Sequence, residues 1–438
     1  MPWWETLVII VGGLLFVMGL GVPVAFAFLL VNLLGILFLQ GGSGAFHQFI
    51  LSIYASVSSF TLTPVPLFVL MGEILWRSQL GQQALDALDK LLGRLPGRLS
   101  VLTIAAGTVF SSLSGSTMAN TAMLGTFLYP DLERRGYHRT LSIGPIMAGG
   151  GLAMMIPPSA LAVILAAIGQ LSIAKILISA IVPGLMMAAL YFAYIVIRCL
   201  LHPEHSPSYE VDSVSWRERI EAVVKHLLPL GVIVFLVTGL IVLGVATPTE
   251  SAALGALGSF LLAAAYGRLN WAMIKASVLG SLRITAMMFA IMAAAIGFSQ
   301  LLAYSGATRG LLDSVLGLDV TPILLVIGMQ LVVLLLGSFM EQIAIMLITL
   351  PIFIPIIKGL GLDTTWFGVL MLINLEMALM TPPFGLLLFV MKGIAPSDVT
   401  MKQIYLAAVP FLACNLIVMA VLILFPEIVT FLHPLTRR

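Results

Sequence analysis

The sequence predicts an all-α polytopic membrane protein made of two inverted repeats, each containing a re-entrant helical hairpin and a broken helix. Three observations carry this prediction. Hydrophobic residues make up 60% of the 438 positions and charged residues only 9%, whereas about one quarter of a soluble domain is charged. Two polar islands, at 111–120 and 337–341, interrupt long apolar segments. Prolines and glycines of the first half recur in the second half at a constant offset.

Composition excludes several classes of function. The formal net charge is only +2 and the basic residues are scattered, which excludes a nucleic-acid partner. Cys199 and Cys414 stand alone in or beside apolar runs, a spacing that fits neither a disulfide framework nor a metal site. The N-terminal apolar run lacks both a basic stretch before it and a small-residue cleavage site after it. We therefore predict a retained span and not a signal peptide.

The first repeat, 1–201, divides into apolar runs long enough to cross roughly 30 Å of hydrocarbon. Gly21-Val22-Pro23 separates the first two runs, because glycine and proline favour a break. Leucines at helical spacing among charged residues in 82–95 are typical of a helix that lies along the membrane surface. The predicted elements are spans at 5–20, 24–40, 65–80 and 172–201, an amphipathic segment at 46–63, the surface helix at 82–95, a hairpin at about 99–130 and a broken helix at 138–170.

The hairpin at about 99–130 is predicted from the polar island that it contains. The apolar arms on either side of 111–120 are each too short for a full crossing. Polar, non-helical backbone at membrane depth survives only inside protein or beside a water-filled cavity. The helix that follows is predicted to break twice, at Gly149-Gly150-Gly151 and at Pro157-Pro158.

The second repeat, 225–438, follows a polar linker at 202–224. Pro157 and Pro382 lie 225 positions apart. The same offset superposes Pro23 on Pro248, Pro130 on Pro355, Pro158 on Pro383, Gly72 on Gly297 and Gly136 on Gly361. Prolines are rare enough that a single register along the whole chain indicates an internal duplication. This register predicts a second hairpin at about 321–357 and a second broken helix at 364–393.

The number of crossings decides the relative orientation of the repeats. An odd number in the first half, with a hairpin that does not cross, inserts the second half upside down, as in inverted-repeat transporters. If 5–40 were one tilted helix, the repeats would be parallel. The positive-inside rule favours inversion, with the first hairpin opening to the cytoplasm. With the N-terminus outside, the 21 lysines and arginines all fall inside except Lys175, Arg309, Lys358, Arg437 and Arg438.

Each half supplies a hairpin tip and a helix interrupted by a double proline, Pro157-Pro158 or Pro382-Pro383. Proline removes a backbone donor and leaves a carbonyl one turn earlier without its partner. Such carbonyls, together with serine and threonine hydroxyls, suit a cation such as sodium, while half-helix N-termini suit an anion. The pattern predicts a sodium-coupled carboxylate transporter. The alternative is that the prolines only kink packed helices and the serines bond back to their own backbone.

Two carboxyl groups of the second repeat, Glu341 and Glu376, fall at membrane depth, where an ionisable residue is a functional hypothesis by default. Either could complete a cation site, accept a proton or cap a helix N-terminus. We favour a structural or indirect role for Glu376 and leave the role of Glu341 open. Glu73 and Glu250 lie near helix ends, where solvated or capping roles are expected.

These motifs resemble the large membrane subunit of tripartite ATP-independent periplasmic (TRAP) transporters, the DctM-like permeases of the ion transporter superfamily. The resemblance covers essentially the whole chain. In the first half it rests on 66–72, the serine-rich tip at 111–120, Gly136-Tyr137, 149–151 and 156–159. In the second half it rests on 247–250, the tip at 337–341, 374–376 and 381–383. Phe384 is a departure, because a small apolar residue is more often expected there.

The resemblance implies an elevator-type transporter, in which a transport domain of hairpins and broken helices moves against a scaffold domain. It implies two partners, a small four-helix membrane subunit and a periplasmic substrate-binding protein. It also implies uptake of an organic acid, such as a C4-dicarboxylate or a sialic acid, across the bacterial inner membrane. Sodium ions are the expected coupling ions, and no cofactor is expected.

Carried over by position, the resemblance implies two sodium sites. The first is formed by Ser112, Ser114, Gly149 and Pro157. The second is formed by Gly337, Ser338, Thr381 and Pro382. We predict that substrate is contacted by polar residues of the tips and broken helices, namely Ser116, Asn120, Ser159, Glu341 and Asn374.

An enzyme is not expected. An intramembrane serine protease needs Gly-x-Ser-Gly, and 112–115 has serine in place of the first glycine. The six histidines fall at span ends or in loops, so no histidine base lies at membrane depth, and the sequence contains no HExxH or Walker motif. The closer alternative is a stand-alone sodium-coupled anion symporter of the same superfamily, which works without a binding protein.

Overall fold

A computed structural model describes residues 2–40, 43–93, 95–207, 215–317 and 319–432, apart from the side chains of Gln40, Ser43, Ser56, Leu113 and Ser114. Within these ranges every regular element is helical. Six segments are long and apolar enough to cross a membrane, namely Phe60–Arg77, Ile173–Leu201, Trp216–Val242, Trp271–Tyr304, Gln342–Gly359 and Met401–Leu424. The chain is therefore an all-α, multi-pass membrane protein, as its composition predicts.

The helices of the first half follow the predicted order closely. They are α1 (Trp3–Gly19), α2 (Val24–Gly35), α3 (Ser43–Val57), α4 (Pro64–Arg77), α5 (Leu80–Leu92), α6 (Arg98–Ser114), α7 (Thr117–Arg134), α8 (Arg139–Gly151), α9 (Ala160–Ile168) and α10 (Ile173–Leu201). Helices α6 and α7 form the first hairpin, and α8 and α9 form the first broken helix. Of the predicted linker at 202–224, residues 208–214 lie outside the described ranges.

The second half begins with one helical rod, in which π-helical turns join α11 (Trp216–Ala222), α12 (Leu228–Val234) and α13 (Leu240–Val242). The remaining helices are α14 (Pro248–Ala265), α15 (Trp271–Tyr304), α16 (Ala307–Leu316), α17 (Pro322–Gly337), α18 (Gln342–Gly359), α19 (Thr364–Met380), α20 (Leu386–Ile394), α21 (Met401–Leu424) and α22 (Glu427–Thr430). Helices α17 and α18 form the second hairpin, and α19 and α20 form the second broken helix.

The two halves keep the 225-residue offset at the level of helix ends. Helices α7 and α18 begin and end at positions related by this offset, and the ends of α6 and α17, and of α9 and α20, agree with it within two residues. The contacts repeat as well, because α2 packs on α15 while its counterpart α14 packs on α4. The duplicated proline pattern in the sequence therefore corresponds to a duplicated arrangement of helices.

The halves differ where α3 and α4 are separate but α15 is one helix of 34 residues. Pro64 and Pro66 stand at the start of α4, and proline disfavours helical conformation in the residue before it. Their counterparts at the same offset are Phe289 and Ile291, which continue a helix without interruption. Two prolines thus account for the main structural difference between the repeats.

The predicted break at Gly149-Gly150-Gly151 is wrong. Helix α8 continues through all three glycines and ends only at Gly151, before a short 3-10 turn. The glycines are needed for close packing, since a Cβ at Gly150 would lie 1.8 Å from Thr121 Oγ1 and a Cβ at Gly151 would lie 2.4 Å from Glu376 Oε1. The only interruption of this helix therefore lies between α8 and α9, around the double proline.

The broken helices form the centre of the molecule. Almost every residue of α8 and of α19 is buried. The first hairpin packs on α8 through both of its arms, and α17 of the second hairpin packs on α19. At the closest approach, a Cβ at Gly107 of α6 would lie 2.6 Å from the carbonyl oxygen of Gly149. The hairpins and broken helices are thus one tightly packed group.

Helix α5 is amphipathic, as predicted, and an ion pair fixes it to the base of the first hairpin. Arg98 at the start of α6 is buried and donates to the Asp89 carbonyl oxygen (2.8 Å) and carboxylate (2.9 Å). Burial raises the pKa of the Asp89 carboxyl, and the adjacent Arg98 guanidinium opposes this shift. The pair connects the surface helix to the hairpin.

We expect Gly107→Val to destabilise the protein by about 1–3 kcal/mol, because the new side chain meets the α8 backbone and the helices must separate. Thermal unfolding of the purified protein in detergent measures this. Gly328→Val in α17 is the matched control, since a Cβ there meets nothing within 4 Å. Equal losses in the two variants would contradict the close contact between α6 and α8.

Candidate transport site

The tips of the two hairpins line one cavity. Its volume is about 290 Å³, and its lining includes 115–119 of the first tip and 341–343 of the second. The beginning of α9 and the sides of α4 and α15 complete the wall. Residues more than 220 positions apart in the sequence therefore meet at one place, as the duplication predicts.

The first tip is a two-residue connection between α6 and α7. Gly115 has a φ of +59°, a conformation that glycine adopts without strain, and a Cβ there would lie 3.4 Å from the carbonyl oxygen of Pro158. Ser116 follows as the N-cap of α7, and its hydroxyl accepts from the Ala119 N–H at 3.4 Å. The first tip therefore lies directly on the interruption of the first broken helix.

The second tip is capped by a carboxylate. Glu341 is the N-cap of α18, and its side chain accepts from the Ile343 N–H at 3.0 Å. Phe384, the departure noted in the sequence, is half exposed and packs its ring against Phe339 of the tip and Phe389 of α20. Phe384 therefore adds aromatic contacts to the tip and does not line the cavity.

Three helix N-termini contribute to the cavity wall, those of α7, α9 and α18. An N-terminus carries unpaired N–H groups and the positive end of the helix dipole, so converging N-termini favour an anion. Glu341 places a negative group at one of them. The cavity therefore combines two N-termini capped by serine with one that already holds a carboxylate.

The predicted substrate residues divide into two groups. Ser116 and Glu341 line the cavity. The other three, Asn120, Ser159 and Asn374, are buried and do not line it. Ser159 caps α9 by accepting from the Ala162 N–H at 3.3 Å, and Asn374 donates to the side-chain oxygen of Gln330 at 2.9 Å. Ser159 thus caps a helix of the cavity wall, and Asn374 joins α19 to α17 of the second hairpin.

Asn120 joins the first hairpin to the first broken helix. Its side-chain amide donates to the carbonyl oxygens of Gly107 and Gly149, both at 3.3 Å, and to Ser111 Oγ at 3.1 Å. Gly149 is thus placed beside the hairpin, as predicted. Ser112 lies nearby and is buried, with its hydroxyl donating to the Val109 carbonyl at 2.7 Å.

Two buried oxygens of this region accept no hydrogen bond from any residue that the structure describes, Asn120 Oδ1 and Thr121 Oγ1. Buried polar atoms are nearly always paired, so such oxygens suit a bound cation. Thr121 was missed by sequence reasoning, although it follows the polar island directly. The side chain of Ser114, another predicted ligand, lies outside the described part of the chain.

Both double prolines have a cis peptide bond, Pro157-Pro158 and Pro382-Pro383. The Pro157 carbonyl accepts from the Thr238 hydroxyl at 3.3 Å, and the Pro383 carbonyl accepts from the Tyr405 hydroxyl at 3.0 Å. Each interruption therefore has one carbonyl that is already bonded to a neighbouring helix. The bond from Thr238 uses one of the two lone pairs of the Pro157 carbonyl oxygen and leaves the other for a cation.

The predicted residues of the second sodium site lie at the second tip and the second interruption. Gly337 permits close packing on α19, because a Cβ there would lie 2.1 Å from the Ala378 side chain. Ser338 donates to the Leu335 carbonyl at 2.8 Å, and Thr381 donates to the Met377 carbonyl at 2.7 Å. Both hydroxyls bond back to their own helix, and each keeps oxygen lone pairs. Pro382 precedes its cis bond at the same interruption.

Comparison with known proteins agrees with this arrangement. The family model described as "Tripartite ATP-independent periplasmic transporter, DctM component" matches residues 11–428. The chain belongs to this family. As a DctM-family permease it is a transport protein, and its helix order and hairpin tips are those that the sequence predicts.

Two curated relatives are each 30% identical to the chain. One is the ectoine TRAP transporter large permease protein TeaC of Halomonas elongata, for which the match covers 96% of this chain and 97% of the relative. The other is the C4-dicarboxylate TRAP transporter large permease protein DctM of Pseudomonas aeruginosa, with 86% and 87% covered. The YdaH transporter of Alcanivorax borkumensis has a similar fold, with a TM-score of 0.64 at 15% identity over 89% of each chain.

We expect Asn120→Leu to lower the free energy of unfolding by about 1–3 kcal/mol, because the Gly107 and Gly149 carbonyls lose a buried donor. Denaturation of the purified DctM-family permease measures this. Thr126→Val is the control on the same helix, since the Thr126 hydroxyl is exposed and bonds only to the carbonyl one turn earlier. Similar stability of the two variants would show that Asn120 does not join the hairpin to α8.

Proposed function

We propose that this chain is the large membrane subunit of a TRAP transporter that takes up an organic acid with sodium across the bacterial inner membrane. The observation that carries the proposal is the cavity shared by both hairpin tips, with the N-termini of α7, α9 and α18 in its wall. The chain carries out transport and no chemistry on the solute, so we assign no catalytic residue and no cofactor.

The carboxylate of the solute is proposed to bind at the N-termini of α7 and α9. Ser116 and Ser159 cap these helices, and their backbone N–H groups and dipoles attract an anion. Both helices are long enough for a developed dipole, with 18 and 9 residues. Glu341 occupies the third N-terminus, so the solute meets a neutral or negative surface on that side.

Sodium is proposed to bind behind the tips. At the first site Asn120 and Thr121 each have an unpaired oxygen, the Asn120 amide bonds the Gly149 carbonyl and Thr121 Oγ1 lies beside Gly150, and such hard oxygen ligands suit a small cation. At the second site the ligands are drawn from Gly337, Ser338, Thr381 and Pro382. A sodium ion at either place supplies positive charge close to the bound carboxylate, which is the physical basis of coupling.

Transport is proposed to follow an elevator mechanism. The hairpins and broken helices pack on one another, and α2, α4, α14 and α15 form a second group of mutual contacts. The first group is the proposed transport domain, and the second belongs to the proposed scaffold. Surface helices α5 and α16 connect the two groups along the chain.

A periplasmic binding protein and a small four-helix membrane subunit are the proposed partners. The names of the relatives include ectoine and C4-dicarboxylate, two different small organic solutes, on permeases that are each 30% identical to this chain. Selection of the solute is therefore assigned mainly to the binding protein.

Reconstitution in liposomes tests this proposal. The chain together with its small subunit and binding protein is expected to take up solute only with an inward sodium gradient. Uptake by the chain alone, at the same rate, would favour the stand-alone symporter. Equal uptake with and without the sodium gradient would overturn the proposal that transport is coupled to sodium.

Ser338→Leu is expected to raise the sodium concentration for half-maximal uptake at least about tenfold, because loss of a ligand costs on the order of 1.4 kcal/mol. Ser305→Leu is the matched control. Like Ser338, Ser305 follows the last residue of its helix and donates to the carbonyl three residues earlier, at 3.0 Å, but it lies at the end of α15 and not at a hairpin tip. An unchanged sodium dependence in Ser338→Leu would remove that residue from the site.

A further inference from the structure

Glu376 of α19 is fully buried, and the described ion pairs do not include it. Its neighbours are neutral. One carboxyl oxygen lies 3.1 Å from the Tyr191 hydroxyl of α10, and the other accepts from the Asn415 amide of α21 at 3.3 Å. A carboxylate away from water is very costly without a cation or a full set of donors. The number of protons available for the hydrogen bonds of Glu376 therefore decides whether its carboxyl group is charged or neutral.

The three side chains form a closed ring. Glu376 contacts Tyr191, Tyr191 contacts the side-chain oxygen of Asn415, and the Asn415 amide returns to Glu376. Three contacts need three protons. Tyr191 has a single hydroxyl proton, and Asn415 directs one N–H into the ring. An ionised Glu376 supplies none, so two oxygens would face each other at one contact.

A neutral carboxylic acid completes the ring. The Glu376 O–H donates to the Tyr191 oxygen, the Tyr191 O–H donates to the Asn415 carbonyl oxygen, and the Asn415 N–H donates to the second oxygen of Glu376. The count does not depend on the orientation of the amide. If its nitrogen and oxygen exchange places, all three bonds reverse and the acid proton is still required.

We propose that Glu376 is a buried proton-binding site, and that the neutral acid links α10, α19 and α21 through this ring. The surroundings leave little room for water or a cation. A Cβ at Gly151 of α8 would lie 2.4 Å from Glu376 Oε1, and the ring of Phe411 covers Tyr191 edge-on at a centroid distance of 5.3 Å. Glu376 acts here as a positioning residue and does not line the cavity.

A bound proton has a consequence for transport. The ring joins helices of the packed group that contains both broken helices. With Glu376 neutral, this packed group of helices has no uncompensated negative charge at the ring. Its movement relative to the bilayer then requires no free energy for moving such a charge. The inference about the proton does not depend on the proposed solute or on sodium coupling.

Infrared spectroscopy of the purified full chain tests the proposal. Wild type is expected to show the C=O band of a protonated carboxyl, with a shift in D₂O, and Glu376→Gln is expected to lose that band. Loss of carboxylate bands instead would overturn the proposal. Glutamine supplies an N–H in place of the acid O–H, so this variant is expected to keep the wild-type Tm.

Tyr191→Phe provides a second readout if Glu376→Gln does not fold. Removal of the hydroxyl breaks the ring, so the carboxylic acid band is expected to shift in frequency. Tyr194→Phe is the matched control. Tyr194 is on the same helix, and its aromatic ring also lies at a centroid distance of 5.3 Å from that of Phe411, but Tyr194 is not part of the hydrogen-bonded ring of Tyr191, Glu376 and Asn415. No shift in Tyr191→Phe, or the same shift in both variants, would contradict the proposal.

Discussion

Backbone groups at membrane depth must find partners inside the protein, and the arrangement around the cavity follows from this requirement. Side chains supply some of these partners at the helix interruptions around the cavity. Ser116, Ser159 and Glu341 cap the helices that restart there, while Thr238 and Tyr405 donate to carbonyls of the double prolines. Several of the polar groups that we propose to bind ions and solute are thus those that make non-helical backbone tolerable in an apolar environment.

Much of the fold could be predicted from the sequence, because hydrophobic run length and proline position are local properties. The hairpins, the broken helices and the 225-residue offset all have this origin. The triple glycine at 149–151 was misread as a break, since glycine at a close helix contact and glycine at a helix end look alike in one sequence. At the site, Asn120, Ser159 and Asn374 are predicted to contact the solute, and in the structure they are buried and do not line the cavity. Which polar side chains face a cavity depends on contacts between distant segments, and a single sequence does not contain these.

The duplicated halves are not chemically equivalent at their centre. Gly149 and Gly151 of α8 correspond by the offset to Asn374 and Glu376 of α19. Gly149 lets the first hairpin approach α8 at backbone distance, whereas the larger residues of α19 fill the corresponding space with hydrogen-bonded side chains. Gly151 also lies against Glu376, its own counterpart, as expected for residues close to a pseudo-twofold axis. At this contact the glycine of one repeat leaves the space that the glutamate of the other repeat occupies.

The uninterrupted α15 has a consequence for how the protein sits in lipid. Its 34 residues span about 51 Å at 1.5 Å per residue, well beyond the roughly 30 Å of hydrocarbon. Tilt absorbs only part of such an excess, so one end of the helix extends into the headgroup region. In the first half, Pro64 and Pro66 divide the corresponding segment into two shorter helices, α3 and α4, so neither of these two helices exceeds the thickness of the hydrocarbon core. The two halves therefore have different hydrophobic mismatch, and the energy of the protein depends on the acyl-chain length of the lipids around it.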